Sequence, residues 1–267
     1  MKLYRIIFAI IFSLTCSTVV QAKELTVMIS GGFMAAWETL APQFEAQKGY
    51  KIHTISGPSM GNTPQAIPAR LARGEKADVV IMVGDALKDL EKRGWIQSGS
   101  RVELADSVIG AVIKKGVPTV SIKNDDELRT VLLDAPSIAY SDSASGRYIS
   151  SQLFRKLGIE QQVKSKAYKV ERIPVASLVA KGKYSIGFQQ VSELLPVKGV
   201  TFIGELPDNM QYTTRFAGAV VSHSAYNDGA TQLLAYLSSP DVQPVVRSTG
   251  LHSVTMQHAN IMSDTVQ

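Results

Sequence analysis

Cysteine is almost missing from this chain: Cys16 is the single one among 267 residues. That excludes a disulfide framework and a multi-cysteine metal site. Charge is sparse as well. Asp, Glu, Lys and Arg make up 19% of the chain, too little for a disordered or coiled-coil protein. The formal net charge of +5 is mild, and no Lys/Arg run carries interleaved aromatics, so no nucleic-acid partner is expected. His53, His223, His252 and His258 show no H-x-x-x-H or H-E-x-x-H spacing, so no metal site is expected. No G-x-G-x-x-G or Walker loop occurs, and no cofactor is expected. Past residue 23 no apolar run is long enough to span a bilayer. What is present is a 45% apolar chain, enough for a real core, at a length of one or two domains.

The first 22 residues read as a secretory signal peptide. Lys2 and Arg5 form a charged start, Ile6 to Leu14 an apolar run too short to cross a membrane, and Val20-Gln21-Ala22 a small-x-small cleavage site. Ser13-Leu14-Thr15 before Cys16 is a poor lipid-attachment box. The mature chain then has no cysteine and is expected in the periplasm.

From Lys23 onward short apolar runs alternate with helical patterns. Leu25 to Ile29 predicts a buried strand. Phe33, Trp37, Leu40 and Phe44 share one helical face, with Pro42 expected to kink that helix and Gly49 to end it. A second strand is expected at Lys51 to Ile55, a helix at 64–73 stopped by Gly74, and a third strand at Ala77 to Val83. Asp85 is expected to cap a helix through Arg93. This β-α alternation predicts a mostly parallel sheet flanked by helices. Further strands are expected at Ser107 to Ile113, Thr119 to Ile122, Ser137 to Tyr140, 185–189 and Gly199 to Ile203. Asn124 should cap a helix to Asp134, with others at Gly146 to Leu157, 174–181, 224–238 and 240–248. Gln211 to Val221 reads as a long extended segment, and the polar tail after Leu251 as loose.

Three strand-to-helix junctions are rich in Gly, Ser and Thr: Ser30-Gly31-Gly32-Phe33, Ser56 to Thr63, and Ser141 to Tyr148. A helix start presents unpaired N–H donors and positive partial charge, and small residues let an anion approach them. In open α/β sheets such loops lie at the carboxyl ends of strands, where ligands bind. Each loop alone could be an N-cap; three together point to an anion site.

Gly57-Pro58-Ser59-Met60-Gly61 also matches G-x-S-x-G, the nucleophile elbow of α/β hydrolases. Asp142 with His223 or His252 would complete a triad in the right chain order. This alternative, an exported serine hydrolase, is disfavoured because Gly61-Asn62-Thr63-Pro64 stands where the elbow helix should begin.

The segments Leu25-Thr-Val-Met-Ile-Ser-Gly-Gly32, Leu40-Ala-Pro-Gln-Phe-Glu-Ala-Gln-Lys-Gly49 and Ala69-Arg-Leu-Ala-Arg-Gly-Glu-Lys-Ala-Asp-Val-Val-Ile81 resemble the amino-terminal lobe of the periplasmic molybdate-binding protein family. Ser185-Ile-Gly-Phe-Gln-Gln-Val-Ser-Glu193, Tyr236-Leu-Ser-Ser-Pro-Asp-Val-Gln243 and Gly250-Leu251 extend the likeness. The resemblance implies an α/β, two-lobed type II periplasmic binding protein fold with two crossover strands, near 107–113 and 212–221. Lobe I would comprise 23–107 and 215–267, and lobe II 108–214. It also implies delivery of a solute to the membrane permease of an ABC importer, by a monomer that is not an enzyme.

Carried over position by position, the resemblance puts the first-loop ligand on Gly32, with Ser30, Gly31 and Phe33 beside it. The second loop contributes Ser59, Met60, Gly61 and Asn62, and the third Ser145, Gly146, Arg147 and Tyr148. A backbone donor falls near Ile173, and the family's tyrosine falls on Gln190. Arg147 stands where the family has an apolar residue. A guanidinium is a planar fork suited to a carboxylate, so the expected ligand is a small organic anion, a carboxylate, ahead of the molybdate or tungstate type of oxyanion.

Overall fold

The computed structural model describes residues 23–61, 63–171 and 173–254. The expected signal peptide, Asn62 and the end of the polar tail lie outside them. Eleven strands among the described residues form two sheets. The strands are β1 Glu24–Ile29, β2 Lys51–Ser56, β3 Val79–Val83, β4 Val102–Ser107, β5 Ile109–Lys114, β6 Ile138–Ser141, β7 Ala167–Val170, β8 Ile186–Gln190, β9 Val200–Glu205, β10 Thr214–Val220 and β11 Leu251–His252. The first sheet has the order β11-β4-β10-β3-β1-β2, the second β7-β6-β8-β5-β9.

In the first sheet β1 runs parallel to β2 and β3, and β10 antiparallel to β3 and β4. Every residue of β3 is buried, as a central strand covered on both faces requires. Helix Met34–Lys48 covers one face through Trp37, Leu40 and Phe44, on the face the sequence spacing indicates. It continues through Pro42 and stops at Gly49, whose φ of 71° only a residue without Cβ adopts readily. Ile67, Leu87 and Leu90 pack on the other face. The second sheet is built the same way: β6 runs parallel to β7 and β8, while β5 runs antiparallel to β8 and β9. Leu128, Leu132, Leu153 and Phe188 form its larger core.

Several expectations need correction. The stretch read as one strand from Ser107 to Ile113 is shared by two strands in different sheets, with Val108 as the single residue between them. No strand forms at Thr119 to Ile122, where Val120 is exposed and finds no partner strand. The helix expected at 64–73 is only Ile67–Ala72. Helix Gly84–Lys92 begins before Asp85, which lies in its first turn and favours the dipole without capping it. Asn124 does cap its helix, Asp125–Asp134, accepting the Glu127 N–H at 3.0 Å. The helix at the third loop runs Ala144–Tyr148, widens into a π-type turn over Ile149–Leu153, and ends at Phe154–Lys156.

The chain crosses between sheets twice. Val108 makes one crossing and the segment from Leu206 to Thr213 the other. The two are stitched together. Gln211 Oε1 accepts the Ile109 N–H at 2.8 Å, and its Nε2 donates to the Ile109 carbonyl at 3.0 Å. On the first-sheet side Arg215 forms a two-pronged pair with Asp106, which is 3% exposed.

Candidate functional site

The three small-residue loops lie at the carboxyl ends of β1, β2 and β6, as the parallel strand order dictates. Contacts link them in a circuit. In the first loop, Ser30 leads into the turn Gly31–Phe33. The Gly32 carbonyl accepts the Ser192 hydroxyl at 2.8 Å from the short helix Val191–Leu194, which follows β8. A Cβ on Gly31 would stand 2.9 Å from Glu193 Oε1, and one on Gly32 would collide with Gln190 Oε1 and the Phe216 ring. Glycine is thus the residue that lets this loop press against the second lobe.

Glu193 in turn feels the carboxylate of Asp142, in the third loop. In that loop Arg147 reaches across to the thioether of Met60 in the second loop. The circuit thus joins all three junctions.

Its donors are hydroxyls and one guanidinium. Ser30 Oγ and Thr63 Oγ1 are shut off from solvent and have no hydrogen-bond partner among the described residues. Ser141, Ser143 and Ser145 form a ring of hydroxyls, with O···O distances of 2.7, 3.1 and 3.1 Å. Turning one hydroxyl out of that ring frees a donor for an arriving anion. Ser59 is buried and its Oγ accepts the Val83 N–H at 3.0 Å, which leaves its own proton to donate. Gly61 takes a φ of 100° at the tip of the same loop. Among the described residues no group of three or more His, Cys, Asp or Glu is placed to hold a metal ion.

The remaining expected contact residues have other surroundings. Phe33 is fully buried in the first core. Tyr148 donates to the Met210 carbonyl at 2.8 Å and stacks on Tyr212, bracing the third-loop helix from behind. Gly146 sits so tightly under the Ser141 carbonyl that no Cβ fits. Gln190 is buried and occupies the junction from which the Val191–Leu194 helix starts. Ile173 is 51% exposed and stands outside the circuit. The triad alternative finds no histidine hydrogen-bonded to Ser59 among the described residues. His252 faces Glu205 at 3.4 Å and His223 lies on a turn.

Glu193 is the residue that sequence reasoning missed. Burial pushes its carboxyl up to about 7, a side-chain hydrogen bond to Gln189 pulls it down, and the Asp142 charge pushes it up further. The polar run Gln189-Gln190 at the end of an apolar strand, three residues before it, was the available signal.

The model for bacterial extracellular solute-binding proteins matches residues 25–252. The chain belongs to that family. This solute-binding protein is 43% identical over 233 residues to an aconitate isomerase of a Pseudomonas species, covering 87% of this chain and 89% of that protein. It is 26% identical to the molybdate-binding protein ModA of Azotobacter vinelandii, over 86% of this chain and 90% of that one. The solved Azotobacter vinelandii periplasmic molybdate-binding protein superimposes with a TM-score of 0.70 at 19% identity, covering 85% of this chain and 98% of that one. The two-lobed α/β periplasmic binding protein fold is shared with it. The family binds small anionic solutes and works with ABC-transporter permeases. No helix among the described residues is long and apolar enough to cross a membrane.

One expectation is overturned. The resemblance to a binding-protein family implied a protein that is not an enzyme, yet a relative at 43% identity is named as an isomerase. The physical reason is plain. A proton shift within one substrate needs a single well-placed acid–base group, and such a group leaves no spacing pattern in the sequence.

Proposed function

We propose that this solute-binding protein takes a small unsaturated tricarboxylate, of the aconitate type, between its lobes and isomerises it. The observation that carries this reading is the 43% identity to an aconitate isomerase, spread over 89% of that protein. The chemistry of the cleft supports it. Aconitate is a propene bearing three carboxylates. Moving one proton from its methylene carbon to the far alkene carbon shifts the double bond, and on this skeleton that interconverts the geometric isomers. The reaction asks for several carboxylate seats and one group that carries a proton. The unused hydroxyls of Ser30 and Thr63, the serine ring and Arg147 fit the first demand. The acidic residues on the second-lobe side fit the other.

Within this reading lobe I comprises 23–107 with 215–267 and lobe II 108–214, and the mature protein acts as an exported monomer in the periplasm. The test is direct. Purified protein is given each aconitate isomer in turn, and the other isomer is followed by proton NMR, with calorimetry for binding. Conversion in both directions is expected, and Arg147→Ala should weaken tricarboxylate binding by about 1.5–3 kcal/mol, as for hydrogen bonds to a charged group. Arg147→Lys should recover part, since a point charge does not reproduce the fork. Binding of molybdate with no conversion of either isomer would overturn the proposal.

A further inference from the structure

The short helix Val191–Leu194 belongs to neither sheet and is pinned from both sides. Its start follows β8, and the Val191 N–H bonds the Val108 carbonyl at the first crossing. Ser192 holds the Gly32 carbonyl of the first loop, and the side chains of Val191 and Leu195 lie against Gly250. The residue after Ser192 faces the place where the lobes meet. We propose that Glu193 is the catalytic residue that removes the proton from the substrate's methylene carbon and returns it to the far alkene carbon. This rests on the isomerase reading above.

Three observations on the geometry support it. Glu193 Oε1 stands 2.9 Å from where a Cβ on Gly31 would be, so the first loop offers it bare backbone and no competing side chain. Gln189 Oε1 is fixed by the Val175 N–H at 3.0 Å, which turns its amide N–H groups free to orient the carboxylate. No cation pairs with Glu193 among the described residues, so it can gain and lose a proton without breaking an ion pair. Its affinity for that proton, near neutrality, suits a group that must take it and give it back.

The step balances without a co-reactant. The carboxylate takes the methylene proton, and the C–H electron pair becomes the new C=C bond. The old C=C pair moves to the far carbon as a carbanion delocalised into its carboxylate. Glu193 then protonates that carbon and is regenerated. The charged group facing it is Asp142, at the end of β6; the first loop and β8 present neutral groups.

The experiment compares wild type, Glu193→Gln and Asp142→Asn in full-length mature protein. Tricarboxylate binding is followed by calorimetry, isomerisation by NMR, and uptake of solvent deuterium at the methylene carbon in D2O. For Glu193→Gln the expected result is binding within about threefold of wild type, with isomerisation and exchange both down on the order of 10³-fold. Asp142→Asn should move the acid limb of the pH–rate profile downward, because a neighbouring negative charge is removed. Glu193→Gln that isomerises within tenfold of wild type would overturn this assignment and leave the isomerase reading standing. Wild type that neither isomerises aconitate nor exchanges its protons would remove the isomerase reading itself, and this role with it.

Discussion

Ser192 donates its hydroxyl to the Gly32 carbonyl at 2.8 Å, across 160 residues of sequence and from one lobe to the other. The bond is buried, so it is not traded for water without loss. It places the first loop, Gln190 and Glu193 within one another's reach, and the site follows from it.

The closeness of Gly32 to its neighbours gives a first prediction. Gly32→Ala should push Gln190 and Phe216 apart, since a Cβ there collides with both. Overpacking of this kind costs about 1–3 kcal/mol. Chemical denaturation should show that loss, with tricarboxylate binding falling alongside it. A variant as stable and as tight-binding as wild type would mean that the loop has room to retreat.

The pair at the crossing gives a second. Asp106 is buried, and both its oxygens face Arg215, whose side chain is 37% exposed. Asp106→Asn keeps the shape and removes the charge. A loss of about 1.5–3 kcal/mol is expected in urea denaturation, the usual worth of hydrogen bonds to a charged group. The loss should shrink in part in high salt, because the Arg215 side of the pair is open to solvent and is screened there.

The raised affinity of Glu193 for its proton gives a third, with a definite sign. Its carboxyl titrates near 7 in the folded protein, against an ordinary value of 4.5. Between those limits the native state holds a proton that the unfolded state has released. That stabilising contribution is fully present below pH 4.5 and is lost as pH rises through 7. Wild type should therefore lose stability between about pH 4.5 and 8, and Glu193→Gln should lose less by on the order of 1–3 kcal/mol. Equal slopes in the two proteins, read from urea midpoints, would show that burial does not penalise this carboxylate.

The legible parts of the sequence are those decided by near neighbours. Phe33, Trp37, Leu40 and Phe44 announce their helix because 3.6 residues per turn bring them to one face. Asn124 announces its cap because its partner is three residues on. The second edge strand, Ala167–Val170, goes unread because an edge buries little and needs few apolar residues. Val108 is illegible for another reason: it is the single residue between β4 and β5, so no turn or loop sequence marks the change of sheet.

The site divides the same way. The loops around Ser30, Ser59 and Ser145 are visible because glycine and serine at strand ends have a local meaning. Glu193 is not visible. Its acidity depends on burial against Gly31 and on Gln189, and only the folded chain supplies that burial. The exposed Val120 shows the opposite error, an apolar residue in a run that reads as a strand but has nothing to pair with.

Gln211 has a mechanical consequence. By gripping both the N–H and the carbonyl of Ile109, it ties the two crossings into one axle. The lobes then share a single torsional coordinate, since neither crossing turns without the other. Every ligand contact made on both lobes works against that same spring. The contact between the Arg147 guanidinium and the Met60 thioether, on loops that follow strands of different sheets, changes with any turn about that axle.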